Sequence, residues 1–279
     1  MSLLSFLSLA LKRLKSRAGF TLMLALGTIL TVAVMVCVPV FSGATSRKII
    51  KEEINAKTQS LNRPPFSVRF YALPTARQPM TLEDARYNRD WIGDMLARNI
   101  GLPVKTVYVQ TESPLFYVRP RQGDTRYNGK DLFQTEVVCV EGIGEKIEVI
   151  DGAPFGSKAD PENLAVWVMP QLANKLGLNV GETYLLAAYP ADPEPIPIMI
   201  AGFWQALDPE ESYWYQNPEG LLGNHLLTTP ALYQTYVSSL TAQVTGYNFW
   251  YYVMDDAKMN LDRTAHYIGG LKLVEREVE

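Results

Sequence analysis

The chain has 279 residues, 47% of them hydrophobic and 20% charged, with a mean hydropathy of -0.04, which excludes a low-complexity or disordered chain. Its net charge of -3 is segregated: the first 44 residues hold four Lys/Arg and no acid, and the rest holds 22 Lys/Arg against 29 Asp/Glu. An acidic body without a basic stripe argues against nucleic-acid binding, and two cysteines, Cys37 and Cys139, make no disulfide framework.

Residues 1–17 mix apolar and basic side chains at helical spacing, with Leu3, Phe6, Leu7, Ala10, Leu11 and Leu14 on one face. That pattern predicts an amphipathic helix on the cytoplasmic leaflet, or the basic head of a targeting signal. Ala18 to Ser46 then runs for 29 residues without a charge, bracketed by Arg17 and by Arg47 and Lys48. A helix needs roughly 20 apolar residues to cross a bilayer, so residues 18–46 are expected to be a transmembrane helix. The small residues Ser42-Gly43-Ala44 would also suit a leader cleavage site, but leader cores span only about 7–15 residues. The basic flank places the N-terminus in the cytoplasm by the positive-inside tendency.

Residues 47–60 read as a charged helix continuing outward as a stalk, ended by Asn62-Arg63-Pro64-Pro65. Phe66 to Leu73 alternates as a strand. A helix is expected from Thr81 to Asn99, opened by a box-like pairing of Thr81 with Asp84 and stopped at Gly101. Thr106–Thr111, Leu115–Arg119 and Gln134–Glu141 are expected strands, with a polar loop over 121–131. The middle third is the most patterned. It runs from the turn Asp151-Gly152-Ala153-Pro154-Phe155 to a buried-type strand at Leu164–Met169. A short helix at Pro170–Gly177 and strands at Tyr184–Ala188 and Ile196–Phe203 come next. Asp208–Gly220 is an aromatic loop, Pro230–Leu240 a helix, Phe249–Met254 a strand, and residues 260–279 a final helix. The fold class expected is α+β: a transmembrane helix, then a mixed α/β domain in two sub-units over 47–259, with an inserted part at about 134–229.

Chemistry is sparse. His225 and His266 have no companion ligands at metal spacing and no G-x-S-x-G serine to serve, so neither a zinc site nor a catalytic triad is expected. Gly129-Lys130 is followed by Asp131, which rules out a phosphate loop. The neighbouring carboxylates Glu52/Glu53, Glu210/Glu211 and Asp255/Asp256 do not converge from separate elements. The expectation is no enzyme, no cofactor and no metal. Tyr213, Trp214 and Tyr215 are the candidate partner contacts, read either as an exposed hot spot or as packing between the sub-units.

Gly152, Pro154 and Phe155, then Ala173, Leu176, Gly177, Val180, Gly181 and Leu185, then Gly202, stand in an order that resembles the extracytoplasmic core domain of MacB/FtsX-type ABC transporter permeases. Glu182 stands where Asp is more usual. The resemblance implies a membrane-embedded permease subunit working with a separate cytoplasmic ATPase, and with further permease helices or a second permease copy. Residues 47–60 and 260–279 would be the stalk pair that carries motion outward. Since such permeases usually have three further spans after this domain, the chain would be the N-terminal part of one, its last helix leading toward a second span. The alternative is a membrane-anchored binding module for a cell-surface ligand.

Overall fold

A computed structural model describes residues 12, 18–61, 63–75, 77–121, 123, 131–157, 162–190, 192–238, 241, 245–260 and 263–278. The amphipathic helix expected over 1–17 and most of the polar loop at 121–131 lie outside the described residues. The chain divides into two units, Met1–Lys57 and Thr58–Glu279.

The first unit is dominated by α1 (Ala18–Leu61), a helix of 44 residues that runs through Pro39. The span and the stalk read from sequence as successive elements are therefore one helix. Within it Thr28 Oγ1 donates to the Leu24 carbonyl at 2.6 Å and Thr31 Oγ1 to the Gly27 carbonyl at 2.8 Å. These bonds satisfy both hydroxyls inside the helix, as a lipid setting requires.

The second unit is built on one mixed sheet of 11 strands among the described residues. They are β1 (Ser67–Ala72), β2 (Val104–Glu112), β3 (Phe116–Pro120), β4 (Phe133–Thr135), β5 (Val137–Val140), β6 (Ile147–Gly152), β7 (Leu164–Val168), β8 (Thr183–Ala187), β9 (Ile196–Ala206), β10 (Leu226–Thr228) and β11 (Asn248–Met254). Their order is β1-β11-β2-β5-β10-β7-β9-β8-β3-β4, with β6 also paired to β9. The β5–β10 and β7–β9 pairs are parallel and the rest antiparallel. The mixed α/β expectation holds. The two sub-units, however, share this sheet, because β10 lies between β5 and β7 and joins the halves. β10 is three wholly buried residues, too short for its alternation to show in sequence.

Helix α2 (Leu82–Ile100) begins on the capping box: Asp84 N–H donates to Thr81 Oγ1 at 3.2 Å, and Thr81 N–H to Asp84 Oδ2 at 2.8 Å. It ends at Gly101, whose φ of 73° places it in the left-handed region. Together with α6 (Thr264–Val278), α2 covers one face of β1, β11 and β2, burying Phe70, Ile92, Leu96, Val109, Trp250 and Val274. Trp250 Nε1 donates to the Ala85 carbonyl at 2.7 Å, across 165 residues of chain. Gly270 of α6 lies so close to α2 that a Cβ there would meet the Asn99 carbonyl oxygen at 2.3 Å. The final helix thus packs on the body.

The patterned middle third folds as its motifs demand. Gly152 of β6 and Gly202 of β9 are register partners, and a Cβ on Gly152 would meet the Ala201 oxygen at 2.4 Å. Trp167 Nε1 donates to the Ala153 carbonyl at 2.8 Å, and the Phe155 ring stands edge-on to Trp167 at 4.9 Å. Gly177 caps α3 (Pro170–Leu176) with φ 69°, and Gly181 N–H donates to the Ile200 carbonyl at 2.8 Å. Every glycine that carries the resemblance is occupied in closing this turn-and-strand module.

Candidate functional site

Two features of the molecule are unlike an ordinary soluble fold. The first is Ala18–Thr45, 28 residues of α1 with mean hydropathy 2.5 and none of it buried. Phe20, Met23, Ile29, Met35 and Phe41 are each about 70% or more exposed, which in water would cost roughly 1.5–3 kcal/mol per side chain relative to burial. The helix is long and apolar enough to cross a membrane.

The second is an aromatic ladder on the sheet face opposite α2. Side chains alternate along each strand, so Arg69 and Tyr71 of β1, Phe249 and Tyr251 of β11, and Tyr108 and Gln110 of β2 share one face. Arg69, Tyr251 and Tyr108 form one cross-strand row, and Tyr71, Phe249 and Gln110 the next. Tyr247 stacks on Phe249 at 5.8 Å, Phe249 on Tyr251 at 6.1 Å, Tyr251 on Tyr108 at 4.6 Å and Tyr108 on Tyr213 at 4.6 Å. The ladder starts at the surface, where Tyr71 is 67% exposed, and ends in the core.

Tyr213, Trp214 and Tyr215 close its inner end, at 5%, 4% and 4% exposure. Trp214 Nε1 donates to the Asp208 carbonyl at 3.0 Å, and the Tyr215 N–H to Tyr108 Oη at 3.2 Å. Lys146 spans the rim, 2.5 Å from Glu211 and 5.4 Å above the Tyr213 ring. Of the two readings, exposed hot spot and internal packing, the burial of the three rings fits the packing one. The loop folds over the sheet because its rings bury more apolar area there than a surface loop could. Burial pushes the Tyr213 and Tyr251 hydroxyls well above the ordinary tyrosine value.

Where the sequence showed no signal, the second row holds a buried polar pair. Gln110 Nε2 donates to Glu112 Oε1 at 2.7 Å, and Gln110 Oε1 is buried with no partner among the described residues. Burial pushes the Glu112 carboxyl up to about 7, and the neighbouring Glu136 charge adds to the rise. His225 lies 3.6 Å from Glu136, yet burial outweighs that attraction and holds its imidazole below the ordinary histidine value. His266 is exposed on α6. No group of three or more metal-ligating side chains occurs among the described residues.

These features define a class: a mixed α/β body joined to a helix of membrane-spanning length and apolarity. No protein-family model matches the chain, and no curated protein does. Among solved structures, a domain of a protein provisionally named a permease, from Porphyromonas gingivalis, aligns with 65% of this chain and 68% of its own length. Its sequence identity is 15% and its TM-score 0.33, a likeness too distant to define a family.

Proposed function

We propose that this chain is a membrane-embedded permease subunit of the MacB/FtsX type, or the N-terminal part of one, with α1 as a span and the body outside the cytoplasm. The observation that carries the proposal is α1 itself. Its 28 residues Ala18–Thr45 are long and apolar enough to cross a membrane, and the same helix continues unbroken to Leu61. A continuous helix is stiff over its length and passes a displacement of the span on to the chain beyond it. The charge segregation supports a cytoplasmic N-terminus, and the order of the glycine motifs supports the family. On this reading, as the family resemblance implies, ATP is hydrolysed by a separate cytoplasmic subunit and the work of this chain is mechanical.

The test is to express the full chain with Cys37→Ser and a reporter at Tyr189→Cys, a position 52% exposed on the body. Cys139 is buried with its thiol pushed up, so it leaves the labelling background low. Labelling by a membrane-impermeant maleimide in intact cells, retention in carbonate-washed membranes and an intact N-terminus are the expected results. Co-purification of an ATP-binding-cassette subunit completes the assignment. A mature chain starting near Thr45, or a carbonate-soluble one, would show a cleaved leader and sink the proposal.

A further inference from the structure

We propose that the open edge of β1, with the guanidinium groups of Arg63 and Arg69, is a docking site for an extended acidic segment of a partner protein. The inference stands on the body alone and is independent of the membrane role.

The first observation concerns the backbone. Among the described residues β1 is the end strand of the sheet and pairs only with β11. In such a pair alternate residues turn their N–H and C=O away from the partner strand. No backbone hydrogen bond from any described residue meets that outer edge. A free edge of six residues is a template for an added strand.

The second concerns charge. The Arg63 guanidinium lies 5.1 Å over the Tyr215 ring. That of Arg69 lies 5.6 Å over Tyr215 and 5.8 Å over Phe249. Arg86, Arg89 and Arg119 each hold a carboxylate at 2.6 Å. Among the described residues neither Arg63 nor Arg69 has one within 4.0 Å, although acids outnumber bases in the body, and Arg63 Nε is buried with no partner among them. A guanidinium stacked on a ring is held flat with its N–H edge free, the arrangement that takes a carboxylate in its plane.

Together the two observations select the occupant. The edge demands an extended chain, and the paired arginines demand negative charge on the side chains that fall over the ladder. On alternate positions those side chains face Arg69 and the exposed Tyr71 ring. The intervening ones fall on the side of Val68 and Phe70, where apolar groups fit. An acidic–apolar alternating segment satisfies both requirements. A free anion uses only the arginines.

The probe is a capped, fluorescent Glu-Val-Glu-Val-Glu-Val peptide, titrated into the full chain in lipid nanodiscs against its Lys-Val counterpart. The acidic peptide is expected to bind with new amide-exchange protection over 67–72, at least about tenfold more tightly than the basic one, and more weakly as salt rises. The R63E/R69E double variant should lose about tenfold or more, while R63K/R69K, which keeps the charges but not the planar fork, should fall between it and the parent. Four results would overturn the proposal. They are equal binding of the two peptides, no protection over 67–72, binding of anionic vesicles without the peptide, and a dimer in sedimentation that protects β1 unaided.

Discussion

The stretch from β6 to β9 and the aromatic ladder are both parts of one sheet, yet they are specified in different ways. In the first, the backbone decides: Gly152, Gly177 and Gly181 have φ of 95°, 69° and 84°, conformations that side chains resist. In the second the backbone is ordinary strand, and the arrangement rests on ring volume and on contacts between segments more than 100 residues apart, such as Tyr215 on Tyr108. A backbone-specified region should fail abruptly when a methyl group is added. A volume-specified one should fail when atoms are taken away.

The largest effect is expected at the Gly152–Gly202 crossing. A Cβ on Gly202 would meet the Asp151 oxygen at 2.7 Å, and one on Gly152 would add a strained φ to its clash. Gly152→Val should cost roughly 3 kcal/mol or more and leave little folded protein, as read by thermal melting of the full chain in detergent. Retention of the native melting temperature would mean that the β6–β9 approach is not what holds the module together.

In the ladder the matching change is Trp214→Ala. It removes a ring 4% exposed and its hydrogen bond to Asp208, and should cost about 3–5 kcal/mol. Trp214→Phe, which keeps most of the volume, should lose substantially less. If both variants melt like the parent, Trp214 does not pack the core and its place as a partner contact is restored.

The same difference explains how legible each region is in the sequence. Signals that act within four or five residues survive there: the Thr81–Asp84 box, Pro170 and Gly177 around α3, and the Gly152 turn all form as the residue types require. The long apolar helix is equally legible, since its length and apolarity are written directly in the run of residues 18–46. The ladder is not. Nothing local distinguishes Tyr213-Trp214-Tyr215 on a surface from the same residues in a core, because the deciding partners lie on β2 and β11. The Gln110–Glu112 pair is hidden for the same reason: two polar residues at strand spacing normally face water, and only the tertiary fold buries them.

That burial gives the ladder a pH dependence that the glycine module lacks. The folded pKa of Glu112, about 7, lies above its ordinary value of 4.5, so the native state holds the proton more tightly. Its contribution to stability is full below about 4.5 and is lost as pH rises through about 7, a change on the order of 2 kcal/mol. Glu112→Gln should flatten the melting profile in this window. His225, with a folded pKa lowered from 6.5, contributes above that value and loses its contribution as pH falls through the folded pKa, which bends the profile the opposite way. A parent chain equally stable at pH 5 and pH 8 with an unaltered Glu112→Gln profile would remove the buried carboxyl as the cause.

A smaller cost separates local signals from long-range packing. Thr81→Ala deletes the side chain that accepts from Asp84 N–H at 3.2 Å, and should cost about 1 kcal/mol. The Thr81 backbone N–H, which does most to hold the Asp84 carboxyl below its ordinary value, still donates after the change, and only the smaller share of the hydroxyl is lost. The Asp84 titration should therefore move toward the ordinary range without reaching it. A full return would show that the backbone half of the box opens with the side-chain half.

The smallest effect is expected at the ladder's outer end, and there it is informative because it is small. Arg69 contributes its cation–ring contacts, partly in solvent. Such contacts amount to about 0.5–1 kcal/mol each at exposed sites, offset by the entropy of holding a long side chain. Arg69→Ala should accordingly lower stability by no more than about 1 kcal/mol. A residue that matters for docking and hardly for folding gives a variant whose loss of peptide affinity cannot be blamed on the fold. Were Arg69→Ala instead to cost as much as Trp214→Ala, the guanidinium would be part of the core, and its freedom to meet a carboxylate from outside would be gone.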